Sequence, residues 1–331
     1  SNDKGRTFTW HKDNPVVKHK GRDPKVIWYK YDENETPLDD QAKKLGGHWV
    51  MAIYDEHPQH KRNIAFYTST NLKDWKLQSN LPGYFECPEF FELPVDDKAG
   101  DSRWVVLGAD ARYALGKFDG KTFTPLHEGK HQVHHGSYYA SQTFDNAPDG
   151  RRIQIGWARL KFPGMPFNQT FSFPHELTLR TTANGVRMFA KPVAEIEKLH
   201  KKTHSADAGD LAADAPVGLD VAGELFEIRA TFELGDASKV GIDVGGNLIT
   251  YDAKGKKLNG AAMKPVDGRV SMQVLVDRPM IEICGNDGVV FITNGRGKRG
   301  DVKTVKAFAE GQGAKRISLQ VHELKSIWNT K

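Results

Sequence analysis

A group of short apolar strands closed by a polar turn occurs three times in the first 190 residues of this chain. Val26-Ile27-Trp28-Tyr29, Trp49-Val50-Met51-Ala52-Ile53-Tyr54 and Ile64-Ala65-Phe66-Tyr67 form the first group. Glu89 to Leu93, Arg103 to Leu107 and Tyr113 to Gly116 form the second. Tyr138 to Phe144, Arg152 to Trp157 and Leu177 to Arg180 form the third. Each run has the length and β-branched or aromatic content of a strand buried between polar loops. A unit of three or four strands repeating at this interval is the pattern of propeller blades. Blades are expected near 22–79, 86–128 and 135–190, and Thr7-Phe8-Thr9-Trp10 reads as the last strand of an earlier one. Periodicity by itself leaves a β-sandwich with coincidental spacing open.

The pattern changes after residue 190. Pro192 to Leu199 offers a helix, with proline near its start and apolar residues at helical spacing. Ser205 to Val217, rich in Ala, Asp and Gly, reads as an interdomain linker. From about Gly218 strands resume with cleaner alternation, as in Leu225-Phe226-Glu227-Ile228-Arg229-Ala230, and point to a β-sandwich. The expected organisation is all-β: a partial propeller over 1–190, a helix and linker over 191–217 and a sandwich over 218–331.

Composition narrows the functional classes. The net charge of +5 is dispersed, and the densest basic cluster (Lys198, Lys201, Lys202) reads as a solvated face, not a nucleic-acid groove. Apolar runs such as Trp104 to Gly108 are far too short for a membrane helix. Cys87 and Cys284 cannot build a disulfide framework or a cysteine-rich zinc site. His131, His134 and His135 have no carboxylate or cysteine spaced with them as metal ligands, so loop histidines are expected and no metal. No apolar leader follows Ser1.

Two carboxylates precede the innermost strand of successive blades: Asp23 in Arg22-Asp23-Pro24 and Glu86 in Glu86-Cys87-Pro88. Equivalent repeat positions converge in a propeller, although spacing alone also suits two solvated surface acids. The motifs decide it. Arg-Asp-Pro followed some sixty residues later by Glu-Cys-Pro resembles the paired signature of glycoside hydrolase family 32, the β-fructosidases. Asn14-Pro15-Val16, Phe66-Tyr67-Thr68-Ser69, Leu72-Lys73-Asp74-Trp75, Ile155-Gly156-Trp157, Asp277-Arg278, Glu282 and Asn286-Asp287-Gly288 follow the family's order along nearly the whole chain.

The resemblance implies a five-bladed propeller joined to a β-sandwich, and hydrolysis of β-fructosyl bonds with retention, without metal or organic cofactor. By position Glu86 matches the general acid/base and Asp23 the transition-state stabiliser. Arg22 would donate to a carboxylate or sugar oxygen, and Trp157 would be an aromatic wall of the sugar site, or else a plain core tryptophan. His134 and Ser137 stand where plant-type relatives carry Asp and Lys that touch the sugar beyond the fructosyl unit, which tilts the expected substrate from sucrose toward levan or inulin. A secreted or periplasmic location is also implied.

The family's nucleophile, an Asp in a Trp-Met-Asn-Asp-Pro-like motif, has no counterpart here, and Lys12-Asp13-Asn14-Pro15 aligns with an outer strand instead. A retaining pair needs two carboxyls about 5 Å apart. The chain alone is therefore expected to be inactive, with the missing N-terminal blades as its partner. A non-catalytic fructan-binding protein is the alternative. A related arabinan hydrolase is disfavoured by the intact Glu-Cys-Pro motif.

Overall fold

The computed structural model describes residues 1–56 and 62–328. It divides into two compact units, Ser1–Leu93 with Ser102–Lys130, and Pro94–Asp101 with His131 onward.

The first unit holds two antiparallel meanders. One is β1 (Arg22–Lys30), β2 (Gly47–Asp55), β3 (Asn63–Ser69) and β4 (Lys76–Pro82), hydrogen-bonded in that order. The other is β5 (Glu89–Pro94), β6 (Ser102–Leu107), β7 (Arg112–Phe118) and β8 (Phe123–Pro125), again in chain order. Side chains of a strand alternate between faces, and β2 shows what that does. Val50 and Ala52 join Phe66, Phe90 and Phe118 in one core, while Met51 and Ile53 join Ala65 in another. A strand apolar on both faces must be covered on both, so β2 is an interior strand. Aromatic packing closes the larger core: Phe90 stacks on Trp104 at 4.7 Å and meets Phe118 edge-on at 4.8 Å.

A short helix, α1 (Asp40–Leu45), sits between β1 and β2, where the sequence reading expects only a polar loop. Local chemistry accounts for it. Asp39 accepts the Ala42 N–H at 2.7 Å as N-cap, and Gly46 ends the helix in the left-handed region.

The second unit contains the third meander and the sandwich. After β9 (His131–Gln132) and β10 (His134–Gly136) come β11 (Tyr138–Phe144), β12 (Arg152–Ala158), β13 (Thr170–Phe171), β14 (His175–Thr182) and β15 (Gly185–Pro192). The third sheet runs β11-β12-β14-β15, with β13 beside β12. The expected helix over Pro192 to Leu199 is instead a single 3₁₀ segment, Ala194–Leu199, and Pro192 belongs to β15. Val193, Ile196 and Leu199 recur every three residues, the 3₁₀ repeat, and pack with Leu275 and Leu324.

The expected linker is also built into the sandwich. β16 (His200–Ala206) and β17 (Gly209–Leu211) both pair antiparallel with the last strand, β28 (Ala314–Leu324). Lys201 and Lys202 of β16 are exposed, so this edge strand lacks the apolar alternation that would announce it. The remaining strands are β18 (Val217–Gly223), β19 (Leu225–Glu233), β20 (Ala237–Val244), β21 (Asn247–Asp252), β22 (Lys257–Leu258), β23 (Ala261–Ala262), β24 (Arg269–Asp277), β25 (Met280–Gly285), β26 (Val290–Gly295) and β27 (Val302–Gly311). They form two sheets, β10-β26-β25-β24-β19-β28-β16 and β18-β27-β20-β21-β22-β23. Phe226, Ile228, Phe232, Val274 and Val276 from one sheet bury against Val240, Ile242 and Val305 from the other, a two-layer core.

Two buried polar groups lie where the third meander meets this sandwich. Glu282 of β25 accepts the Phe173 N–H at 2.7 Å and the Thr293 hydroxyl at 2.5 Å. Burial pushes its carboxyl up to about 8, above the unfolded value of about 4.5. The folded state therefore holds this proton more tightly, and the stability Glu282 contributes is present below pH 4.5 and lost as pH rises toward 8. Glu282→Gln cannot ionise, so its stability relative to the parent should improve between pH 5 and 8 by up to about 1.4 kcal/mol per pH unit. Urea titrations at both pH values check this, and a pH-independent difference would reject it. His175 behaves with the opposite sign. Burial depresses it to about 4 from 6.5, so its stability is present above pH 6.5 and lost as pH falls toward 4. The stability advantage of the parent over His175→Gln should shrink across that window when melting is followed by circular dichroism.

Candidate active site

The site in the first unit is assembled from two turns. Arg22 pairs with Tyr54 at the start of β1, and the ladder then slips before Lys25. That irregularity lifts Asp23 and Pro24 out of the ladder, with Asp23 in the left-handed region at φ 61°. Bulges of this kind re-aim a side chain beside a site. The second turn precedes β5, where Glu86 and Cys87 are both left-handed, at φ 51° and 43°. Each such residue costs about 1–3 kcal/mol and persists only when its surroundings over-determine it. Here the Ala109 N–H supplies part of that hold, donating to the carbonyls of both Phe85 and Glu86 at 3.0 and 2.9 Å.

The two turns grip each other reciprocally. Arg22 donates from Nη2 and Nε to Glu86 Oε1 at 2.7 and 3.2 Å. In return the Cys87 N–H donates to Asp23 Oδ2 at 3.0 Å. Residues 64 apart in sequence are thereby tied by two bonds running in opposite directions. Arg22 also stands 4.0 Å from Asp23 Oδ2 and donates from Nη1 to Glu56 Oε1 at 3.0 Å. Its guanidinium carbon lies over the Tyr54 ring at 4.8 Å, with Phe85 at 5.9 Å. Glu86, and after it Glu56, raise the proton affinity of Arg22 further, so it is a permanent cation here. Asp23 and Glu86 stay partly open, with 32% and 24% of their side chains exposed.

Three residues further along each strand a second pair repeats the link. Lys25 Nζ lies 3.3 Å from Glu89 Oε1, and Glu89 is fully buried. A buried pair of this sort is costly to break, about 3–5 kcal/mol, because it leaves a charge uncompensated. Gly21 is required for close approach: a Cβ there would sit 1.7 Å from the Tyr54 carbonyl oxygen. The Cys87 thiol lies 3.6 Å from Asp23 Oδ2, and burial, then that carboxylate, pushes it up to about 12. It is a proton-bearing neighbour of Asp23, not a nucleophile.

Three further sequence candidates lie in the second unit. Trp157 on β12 is 39% exposed, opposite Tyr139 on β11 and Phe171 on β13, and its ring meets Tyr139 at 6.0 Å. It is not a core tryptophan. Ser137 is partly exposed at the start of β11, its N–H given to the Thr293 carbonyl and its own carbonyl accepting from Arg159. His134 is turned inward: it is 1% exposed, 2.9 Å from His175 Nε2, and stacked on Tyr138 at 4.1 Å. Its strand β10 pairs with β26, so this imidazole fills the sandwich edge and has no open face for a sugar. The sequence reading does not single out Glu56 or Tyr54. Both follow from strand alternation, since residues two apart project from one face and Tyr54 stands opposite Arg22.

Comparison with known proteins bears on the family and the fold. Residues 1–192 match the glycosyl hydrolases family 32 N-terminal domain, and residues 195–323 match the glycosyl hydrolases family 32 C terminal domain. A levanase of Bacillus subtilis strain 168 is 31% identical over an alignment covering 100% of this chain and 55% of the levanase. The chain thus spans about half the length of this curated relative. Among solved structures, a β-fructofuranosidase from Schwanniomyces occidentalis complexed with fructosyl-erythritol superposes with a TM-score of 0.78 at 23% identity, covering 98% of this chain and 75% of that one. An exo-inulinase from Aspergillus awamori gives 0.76 at 20% identity, covering 95% and 71%. At such identities the structures speak for the fold: a partial β-propeller followed by a C-terminal β-sandwich. With both family domains matched in order over residues 1–192 and 195–323, the chain belongs to glycosyl hydrolase family 32.

Proposed function

We propose that this chain carries the acid/base half of a retaining β-fructosidase acting on levan- or inulin-type fructans or on sucrose. The reciprocal grip of Arg22 on Glu86 and of Cys87 on Asp23 carries this reading, because it brings the two motif carboxylates around one guanidinium. Glu86 is the acid/base. It protonates the leaving-group oxygen as the fructosyl bond breaks, then takes a proton from the water that releases the fructosyl unit. Asp23, with one oxygen fixed by the Cys87 N–H, accepts from fructosyl hydroxyls and favours the positive charge that develops at the anomeric carbon. Arg22 fixes where the Glu86 proton is delivered. Trp157 and Ser137 are proposed to contact sugar, as partly exposed groups at one end of the third meander.

Double displacement also needs a carboxylate nucleophile. None of the 331 residues matches that motif, so we propose that turnover requires sequence beyond them, in the form of further propeller blades. Levanases and exo-inulinases among the relatives favour fructan as the substrate class.

In the protein encoded by the complete gene, Glu86→Gln should lower kcat on levan, inulin or sucrose by about 10²–10⁴-fold while the melting temperature stays close to the parent's. Reducing-sugar release across the three substrates measures it. Parental turnover in this variant would remove Glu86 from the chemistry. Binding of levan without any turnover by the parent would replace the enzyme with a fructan-binding protein.

A further inference from the structure

Arg22 serves two acids at once. Glu86 takes its Nη2 and Nε, while Glu56 takes its Nη1 at 3.0 Å. Glu56 directly follows β2, two positions after Tyr54, so both project on the face that Arg22 also occupies, Tyr54 being its cross-strand partner. Tyr54 supports the guanidinium from beneath and Glu56 holds its far edge. Glu56 belongs to neither the Arg-Asp-Pro nor the Glu-Cys-Pro motif.

An acid/base must hold a proton for half of its cycle. A carboxyl bearing two charged donors on one oxygen favours the opposite state, the carboxylate. Once Glu86 is protonated those bonds weaken, and a cation left without a partner would move away or draw the proton off again. A second carboxylate on the same guanidinium resolves both problems. It keeps Arg22 in place through the protonated half-cycle, and its negative charge disfavours a second anion at Glu86.

We propose that Glu56 is a positioning residue that anchors Arg22 by its Nη1 edge and so keeps Glu86 able to carry a proton. The inference rests on Glu86 being the acid/base. Among the described residues, the charged or titratable groups around Glu86 include Arg22 from β1, Tyr54 from β2 and Cys87 in the same turn, with Asp23 4.0 Å from Arg22 and the Arg62 guanidinium 5.6 Å from the neighbouring Phe85 ring. With Glu56 neutralised, Arg22 acts on Glu86 with one opposing anion fewer. Both consequences, the lost repulsion and the undivided Arg22, pull the Glu86 midpoint down.

The test is a carbon-13 side-chain carboxyl titration of the complete protein, with the Glu86 resonance assigned from Glu86→Gln. Glu56→Gln should lower the Glu86 midpoint by about one pH unit, and Glu56→Asp should recover part of the shift. In the complete protein the alkaline limb of kcat/KM should move to lower pH in the same variant, with KM little changed. An unchanged Glu86 midpoint in Glu56→Gln would overturn the assignment of Glu56. Because the titration needs no turnover, it separates this inference from the functional reading. A shifted midpoint together with full activity of Glu86→Gln would leave the Glu56–Arg22–Glu86 coupling in place and remove only the acid/base role. Glu56 is 53% exposed on its side chain, so either substitution leaves the core packing intact.

Discussion

The mutual grip between the irregular start of β1 and the turn ahead of β5 is the interaction on which the candidate site depends. Each turn places a carboxylate by means of a donor from the other: Arg22 for Glu86, and the Cys87 amide for Asp23. Neither turn is comfortable alone, since Asp23, Glu86 and Cys87 all occupy left-handed backbone. Strained residues are held only where surrounding structure leaves them no alternative. The Lys25–Glu89 pair supplies such a constraint one step inside, where Glu89 is wholly buried and a one-residue slip would strand its charge.

Behind the grip lies an aromatic core that makes the two strands stiff enough to aim side chains. Phe66, Phe90, Trp104, Phe118 and Tyr29 interlock in edge and stacked contacts between 4.7 and 5.9 Å. Close-packed interiors do not deform smoothly. A turn carried on such strands inherits their precision, which general acid catalysis requires to within fractions of an ångström. The charged cluster is the reverse of the core: partly exposed, salt-linked, and open to protons. Its chemistry depends on being adjustable where the core is not.

The second unit keeps its own buried polar groups, and they serve packing. His134 and His175 donate and accept among themselves and Tyr138, while Glu282 ties β25 to the backbone at Phe173. These groups are sealed from solvent, which raises the carboxyl and lowers the imidazole pH ranges. Glutamates also occur in the first unit's cluster, there with partial exposure and a charged partner. Environment separates a structural acid such as Glu282 from a candidate catalytic one such as Glu86.

Much was legible in the linear sequence because it is local. The three meanders follow from apolar runs and turns, and the sandwich follows from alternation in strands such as β19. Asp23 and Glu86 stand out because Pro24 and Pro88 mark the same kind of turn before equivalent strands. Other features were not legible. Strand β16 is polar because it lies at a sheet edge, and α1 is too short to show a helical stripe. His134 carries no sign in its own neighbourhood that β26 will cover it. Which residues could carry proton chemistry, and where the apolar strands would run, was written in short segments, since side-chain pKa range and strand alternation are local properties. That Arg22 is divided between Glu86 and Glu56, and that His134 is buried, emerges only once the chain is folded, because charge sharing and burial depend on which distant segments meet.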